Sequence, residues 1–388
     1  MASGDSRRGH SALDGALDVF RMRQYFDVVV RARDLATAAR KDASFLRTLR
    51  RGMLPLPFDR RPAPGPVFGP LRGPVPPPLA GRRVGVVATG GSGALASLIG
   101  VAKALQDSGT QVSVYSVCSG SALFGFPLGA GMSPDEAAEL TASMRPGDYV
   151  DVGWRQLATL VPTLGRGWCG IVRGDKLEAF YRRHLGDLTL AQLRIPVYAP
   201  IWNVEHNRLD FLGPRTHPDL PVARAIRMAV SLPLFVQPVV LDGLSWCDGG
   251  LVDIFPVRPL LDIEPAVDTA VAVNVFYPPG FAGEDVTGWD SRPLSVVSAA
   301  SQVRTSQQAE LAREHLARLR QEARTVLVEP VPYWKVAGTG FYAQFLDTGE
   351  WPEFMRAGRA AMLTALRMAA RPAPRPAARS APRGKPQP

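Results

Sequence analysis

Cysteine is nearly absent from this chain of 388 residues. Cys118, Cys169 and Cys247 form an odd set with no short paired spacing, which excludes a disulfide framework and indicates no metal site. A reducing compartment is expected. Histidine is scarce too, with five residues. His10 falls in the N-terminal segment, His184 and His315 stand among arginines on polar helical stretches, and His206 and His217 lie in a polar connection. None has a motif around it, so a surface role is expected for each. Unbroken apolar runs are also missing. Two uncharged stretches, 84–102 and 108–134, are interrupted by Gly, Ser or Pro clusters. Each opens on β-branched residues and closes on an apolar helical pattern, which reads as strand, tight turn and buried helix. The N-terminus, Met1-Ala2-Ser3-Gly4-Asp5-Ser6-Arg7-Arg8, has no apolar segment of the secretory kind. A cytoplasmic location is expected, and no repeat of fixed period is visible.

What is present is enough apolar residue, 46%, for one large buried core. The net charge of +10 is uneven: residues 1–80 hold 14 Lys/Arg against 7 Asp/Glu and residues 371–388 hold 5 basic residues, leaving residues 81–370 at −2. A near-neutral centre gives no reason to expect nucleic acid. The basic ends would meet an anionic surface such as the inner face of a membrane, or be simply solvated. In residues 1–52, Leu17, Phe20, Val28, Val29, Leu35 and Ala39 recur at roughly helical spacing among arginines, which predicts a basic helical arm. Residues 53–81 read as a Pro-rich linker, residues 82–370 as the domain, and residues 371–388, made largely of Pro, Ala and Arg, as a disordered tail.

Within the domain the pattern alternates: strand 84–88, helix 94–106, strand 112–117, helix 122–130. Further strands are predicted at 197–202, 239–241, 270–276 and 325–329, and a long polar helix at 301–322. Alternation with short connections predicts an α/β fold whose central sheet is mainly parallel.

Three local features could carry chemistry. Gly90-Gly91-Ser92-Gly93 lies between a buried strand and an apolar helix, where glycines let backbone N–H groups gather at a helix N-terminus and receive an anion. Gly91 to Ala96 matches a dinucleotide fingerprint with Ala last. That reading wants an acidic residue at the end of the second strand, and 111–117 has none. A transient oxyanion is the other anion the loop could hold. Val117-Cys118-Ser119-Gly120-Ser121 occupies the next strand-to-helix turn, where a nucleophile would be presented. Both glycines of the usual Gly-x-Ser-x-Gly frame are replaced, by Val117 and Ser121, and the turn alone leaves open which serine is meant. The third feature is Asp248-Gly249-Gly250, by itself an ordinary turn signal.

Together these features resemble the patatin-like phospholipase family. Gly90 stands ten residues before Gly100-Val101-Ala102-Lys103-Ala104-Leu105, and Gly131, ahead of Met132-Ser133-Pro134-Asp135-Glu136, stands twelve beyond Ser119; both spacings follow the family. The likeness runs through Gly174-Asp175-Lys176-Leu177 and Ala225 to Pro233, ends in the Asp-Gly-Gly segment with Pro256, and spans about 84–365. Its register selects Ser119 over Ser121.

The resemblance implies a three-layer α/β/α domain. It also implies a Ser119/Asp248 dyad without histidine, with Val117, Cys118, Gly120 and Ser121 forming the elbow, Gly90, Gly91, Ser92 and Gly93 the oxyanion segment, and Gly249 and Gly250 following the aspartate. The activity implied is hydrolysis of lipid carboxylic esters through an acyl-enzyme, with no metal and no other cofactor. Ser92, Ala94, Leu95, Val117 and Ser121 depart from the family pattern. Two alternatives stand beside it: a non-catalytic acyl-lipid binding protein with a degenerate elbow, and a polyester or thioester hydrolase using the same dyad.

Overall fold

The structure is a computed structural model that describes residues 65–151, 170–277, 281, 295–333, 344 and 348–370. The helical arm expected in 1–52, the first part of the linker, the tail and Cys169 lie outside the described residues.

Five short apolar segments build the parallel part of the sheet: β1 (Val84–Ala88), β2 (Val112–Ser116), β4 (Val197–Asn203), β9 (Thr269–Val273) and β10 (Arg324–Val328). β1 and β9 are buried along their whole length, as strands covered on both faces must be. The order is β10-β9-β1-β2-β4, and every neighbouring pair in this part is parallel. Beyond it the sheet turns antiparallel. The second half of β4 pairs with β5 (Arg208–Leu212) and β8 (Leu244–Asp248), and β8 pairs with β7 (Val239–Leu241). A separate two-stranded pair joins β3 (Gly170–Val172) to β6 (Leu234–Val236).

Helix α1 (Ser97–Asp107) crosses from β1 to β2, and α6 (Ser295–Glu322) lies between β9 and β10. These crossovers step across the sheet in opposite directions, so right-handed connections put the two helices on opposite faces. On the α1 face lie α2 (Ala122–Gly129), α3 (Pro134–Ser143), α5 (Val222–Ala229) with α4 (Asp175–Leu185) packed against it, and α7 (Trp351–Ala369). The other face is covered by a π-helical turn at Pro259–Ile263, which touches β1 and β2 and is tied to α6 where Arg318 meets Asp262. Three layers result. α7 lies so close to α1 that a Cβ on Gly100 would strike Met355 O and one on Gly358 would strike Ser97 O; two backbones in contact leave no room for a side chain on either.

Several boundaries differ from expectation for visible reasons. The strand expected over 270–276 ends at Val273, because Asn274 Oδ1 accepts the Phe276 N–H and bends the chain out of the ladder. The helix expected from 301 begins at Ser295. Residues 65–81 contain no helix or strand, yet Val67, Phe68 and Leu79 are buried in the core, and Arg359 of α7 reaches both Gly69 O and the Phe68 ring. From residue 65 onward the Pro-rich stretch is laid on the domain.

Candidate active site

The three segments singled out in the sequence meet in one place. Gly90–Gly93 leaves the end of β1, the serine turn leaves the end of β2, and Asp248 closes β8 opposite Ile201 of β4. A Cβ on Gly120 would collide with Gly91 O, and one on Gly90 would come within 3.5 Å of Ser119 Cβ, so the first two segments pack backbone to backbone. A Cβ on Gly250 would meet Cys118 Sγ at 2.7 Å, Asp248 Oδ1 at 3.1 Å and Ser119 Cβ at 3.6 Å. Only glycine lets the aspartate segment come this close to the serine turn.

Ser119 has φ of +52°, a left-handed backbone that costs a side-chain-bearing residue free energy and persists only where its surroundings enforce it. That geometry lifts Ser119 out of the turn and leaves it partly exposed. Ser121 is different. It is wholly buried, and its hydroxyl accepts the Cys118 N–H at 2.7 Å and donates to Cys118 O at 2.8 Å.

The replaced elbow glycines are accommodated. Ser121 closes the turn with its own hydroxyl, and Val117 packs where Gly125 leaves space, since a Cβ there would stand 2.5 Å from Val117 Cγ1. Gly125 sits eight residues beyond Val117, and nothing in the bare motif points to it.

Asp248 is fully buried. Burial raises its pKa from 3.8 to about 7, against the opposing pull of the Ser119 hydroxyl and of the Gly250 N–H, which donates to Oδ1 at 2.8 Å. Oδ2 is buried without a well-formed hydrogen bond among the described residues. A carboxyl group with this affinity for protons can take one from a hydroxyl and return it near neutral pH. The neighbouring Cys118 thiol is pushed far up, first by burial and then by the charges of Asp248 and Asp253, so it stays protonated and unreactive.

The Gly-rich segment needs one correction. Gly90 donates its N–H to Ile254 O at 2.9 Å and is not a free donor, whereas no acceptor among the described residues takes the N–H groups of Gly91, Ser92 or Gly93. Behind them Gln344 Oε1 accepts the Ala94 N–H at 3.0 Å and the Ser92 hydroxyl, and Gln344 O accepts the Trp351 indole N–H at 2.8 Å. Ser92, a departure from the expected pattern, thus anchors the loop from outside. No group of His, Cys, Asp and Glu able to hold a metal occurs among the described residues.

One histidine also needs correction, while His184 and His206 are exposed as expected. His315, expected at the surface, is largely covered, and its Nδ1 faces Asp253 Oδ1 at 3.2 Å and Phe255 O at 2.8 Å. A basic helical stretch gave no sign of this, because the partner lies some 60 residues away in sequence. His184 bonds the Phe180 carbonyl of its own helix at 2.9 Å, and His10 lies outside the described residues.

Residues 86–261 match the model of the patatin-like phospholipase family. The chain is 25% identical over 219 residues to Lysophospholipase NTE1 of Cryptococcus neoformans, covering 54% of this chain and 12% of that protein. It is 26% identical over 176 residues to an uncharacterized NTE family protein of Mycobacterium tuberculosis, covering 45% of each. The chain thus spans less than half the length of these curated relatives. Among solved structures, VipD from Legionella pneumophila aligns at TM-score 0.39 and 14% identity over 74% of this chain and 67% of that one. Human GIVD cytosolic phospholipase A2 aligns at TM-score 0.39 and 12% identity over 83% and 65%. Among the described residues no helix is long and apolar enough to cross a membrane.

Proposed function

We propose that this chain, whose residues 86–261 are a patatin-like phospholipase domain, is a lipid acyl hydrolase of the phospholipase or lysophospholipase type that works through Ser119 and Asp248. The observation that carries this reading is a serine held at φ +52° beside a fully buried aspartate whose pKa stands at about 7. Ser119 Oγ attacks the ester carbonyl carbon while its proton passes to the Asp248 carboxylate. The alcohol departs with that proton as the acyl-serine forms. A water then attacks the acyl carbon as Asp248 takes its proton, and Asp248 returns that proton to Ser119 Oγ as the acyl–Oγ bond breaks and the fatty acid leaves.

The tetrahedral oxyanion is received by the N–H groups of Gly91, Ser92 and Gly93, each such donor contributing roughly 3 kcal/mol to the rate. The accommodation of Val117 by Gly125 and the capping by Ser121 support a working turn over a degenerate one, and so speak for hydrolysis over lipid binding alone. The test is esterase and phospholipase turnover in Ser119→Ala, Asp248→Asn and the double variant. Each single change should lower turnover by at least about 1,000-fold, and the double should be little worse, because the two groups act as one unit. Near-normal turnover in Asp248→Asn, or losses that multiply, would remove the dyad.

A further inference from the structure

The Asp248 segment is held from the opposite side by α6. Gln308, buried in the middle of that helix, donates from Nε2 to Gly250 O at 3.1 Å and to Leu251 O at 2.8 Å. Its Oε1 accepts the Tyr277 hydroxyl at 3.2 Å. All three contacts fix the sense of the amide, because the reverse orientation would set Oε1 against two carbonyl oxygens. Tyr277 has φ of +42° and packs among Phe276, Phe281 and Tyr333 with ring centroids 4.7, 5.1 and 6.2 Å away. A tyrosine held in a left-handed conformation, with its hydroxyl on the clamp, is an arrangement that core packing alone does not require.

We propose that Gln308, oriented by Tyr277, is the positioning residue of Asp248: by holding the carbonyls of Gly250 and Leu251 it keeps the Gly250 N–H on Asp248 Oδ1 and the carboxylate aimed at Ser119. The proposal rests on the Ser119/Asp248 reading. The Gln308 amide is engaged with the Gly250 and Leu251 carbonyls and the Tyr277 hydroxyl, so its effect passes through the aspartate segment. Around Asp248 the Cys118 thiol of the serine turn stays protonated. Asp253, on the same loop, and its partner His315 of α6, with Arg318 one turn further along, sit five or more residues from Asp248 in the chain or on the helix beyond it. Loss of the clamp frees the Gly250 N–H, which holds the Asp248 pKa down, so the carboxylate takes its proton more tightly.

The experiment is the pH dependence of kcat and KM for p-nitrophenyl butyrate in the full chain, the Gln308→Met and Tyr277→Phe variants, and Asp248→Asn, with folding followed by circular dichroism. In Gln308→Met, kcat should fall by about 10-fold or more with KM within about twofold, and the acid limb should move to higher pH by about half a unit or more. Tyr277→Phe should move the limb in the same direction by less. If Gln308→Met does not fold, Tyr277→Phe decides on the same criterion. An unmoved limb in folded variants, or a loss confined to KM, overturns the positioning role while an inactive Asp248→Asn leaves the dyad standing. An active Asp248→Asn removes the dyad and the positioning role with it.

Discussion

The two halves of the sheet contribute differently to the site. The parallel half supplies the Gly-rich loop and Ser119 from strand-to-helix turns, each a contiguous stretch in which a buried strand, a tight turn and an apolar helix follow one another. The antiparallel half supplies Asp248 from β8, whose place depends on pairing with β4 more than 40 residues earlier. A group presented by a local turn keeps its geometry through the turn's own bonds. A group presented by a short strand must be held from elsewhere, here by Ser231 O on the Asp248 N–H at 2.9 Å and by contacts from α6.

The largest effect that could break this contrast is at Asp248 itself, where Asp248→Asn should abolish turnover yet stabilise the fold at alkaline pH. The folded carboxyl binds its proton with pKa about 7 against 3.8 unfolded, so between those values the folded state holds more protons and stability falls as pH rises. Thermal unfolding at pH 8 should show the variant more stable by roughly 1–4 kcal/mol, with the gain vanishing near pH 4. A variant that is less stable at pH 8 would mean the charge is not strained. The same titration sets the catalytic acid limb of the unmodified protein near pH 7.

Next in size is Gly125→Ala, which should press on Val117 and cost about 1–3 kcal/mol together with activity. Adding Val117→Gly should restore both if the serine turn is supported locally. Failure of the double variant to recover, measured by denaturant unfolding and esterase assay, would place the support elsewhere.

A smaller effect is expected at His315. Burial opposes its charge, but the Asp253 carboxylate and the Phe255 carbonyl outweigh that and raise its pKa. A raised histidine contributes stability fully present below its unfolded value of 6.5 and lost as pH climbs through the folded one. His315→Gln should therefore destabilise the fold at pH 5.5 and by less at pH 9. A pH-independent loss would reduce the pair to packing. The smallest effect concerns neither half: if the basic ends carry attraction to anionic vesicles, residues 81–370 alone should bind them more weakly than the full chain, and binding should fade with salt. Equal binding would assign the attraction to the domain.

Strands β1, β4 and β9 and the first two helices were legible because each buries a nearly continuous run, and β2 and β10 because β-branched residues recur in them; both signals are written locally. Strands β5 and β8 contain no β-branched residue and were not expected. Ser119 was separable from Ser121 only by its spacing to Gly131, whereas the structure separates them by conformation, one lifted at φ +52° and the other bonded into the turn.

By itself the sequence determined the alternating α/β order and the two strand-to-helix turns, since these depend on residues adjacent in the chain, while the candidacy of Ser119 and Asp248 came from the family resemblance carried by several separated blocks. Tertiary structure alone decided the proton affinity of Asp248, the loss of Gly90 as a donor, the Gly125 space under Val117, and the reach of Gln308 and His315 across to the aspartate loop. Burial and long-range hydrogen bonding are set by which segments meet. A glutamine or histidine on a polar helix looks the same in sequence whether it faces water or the back of an active site.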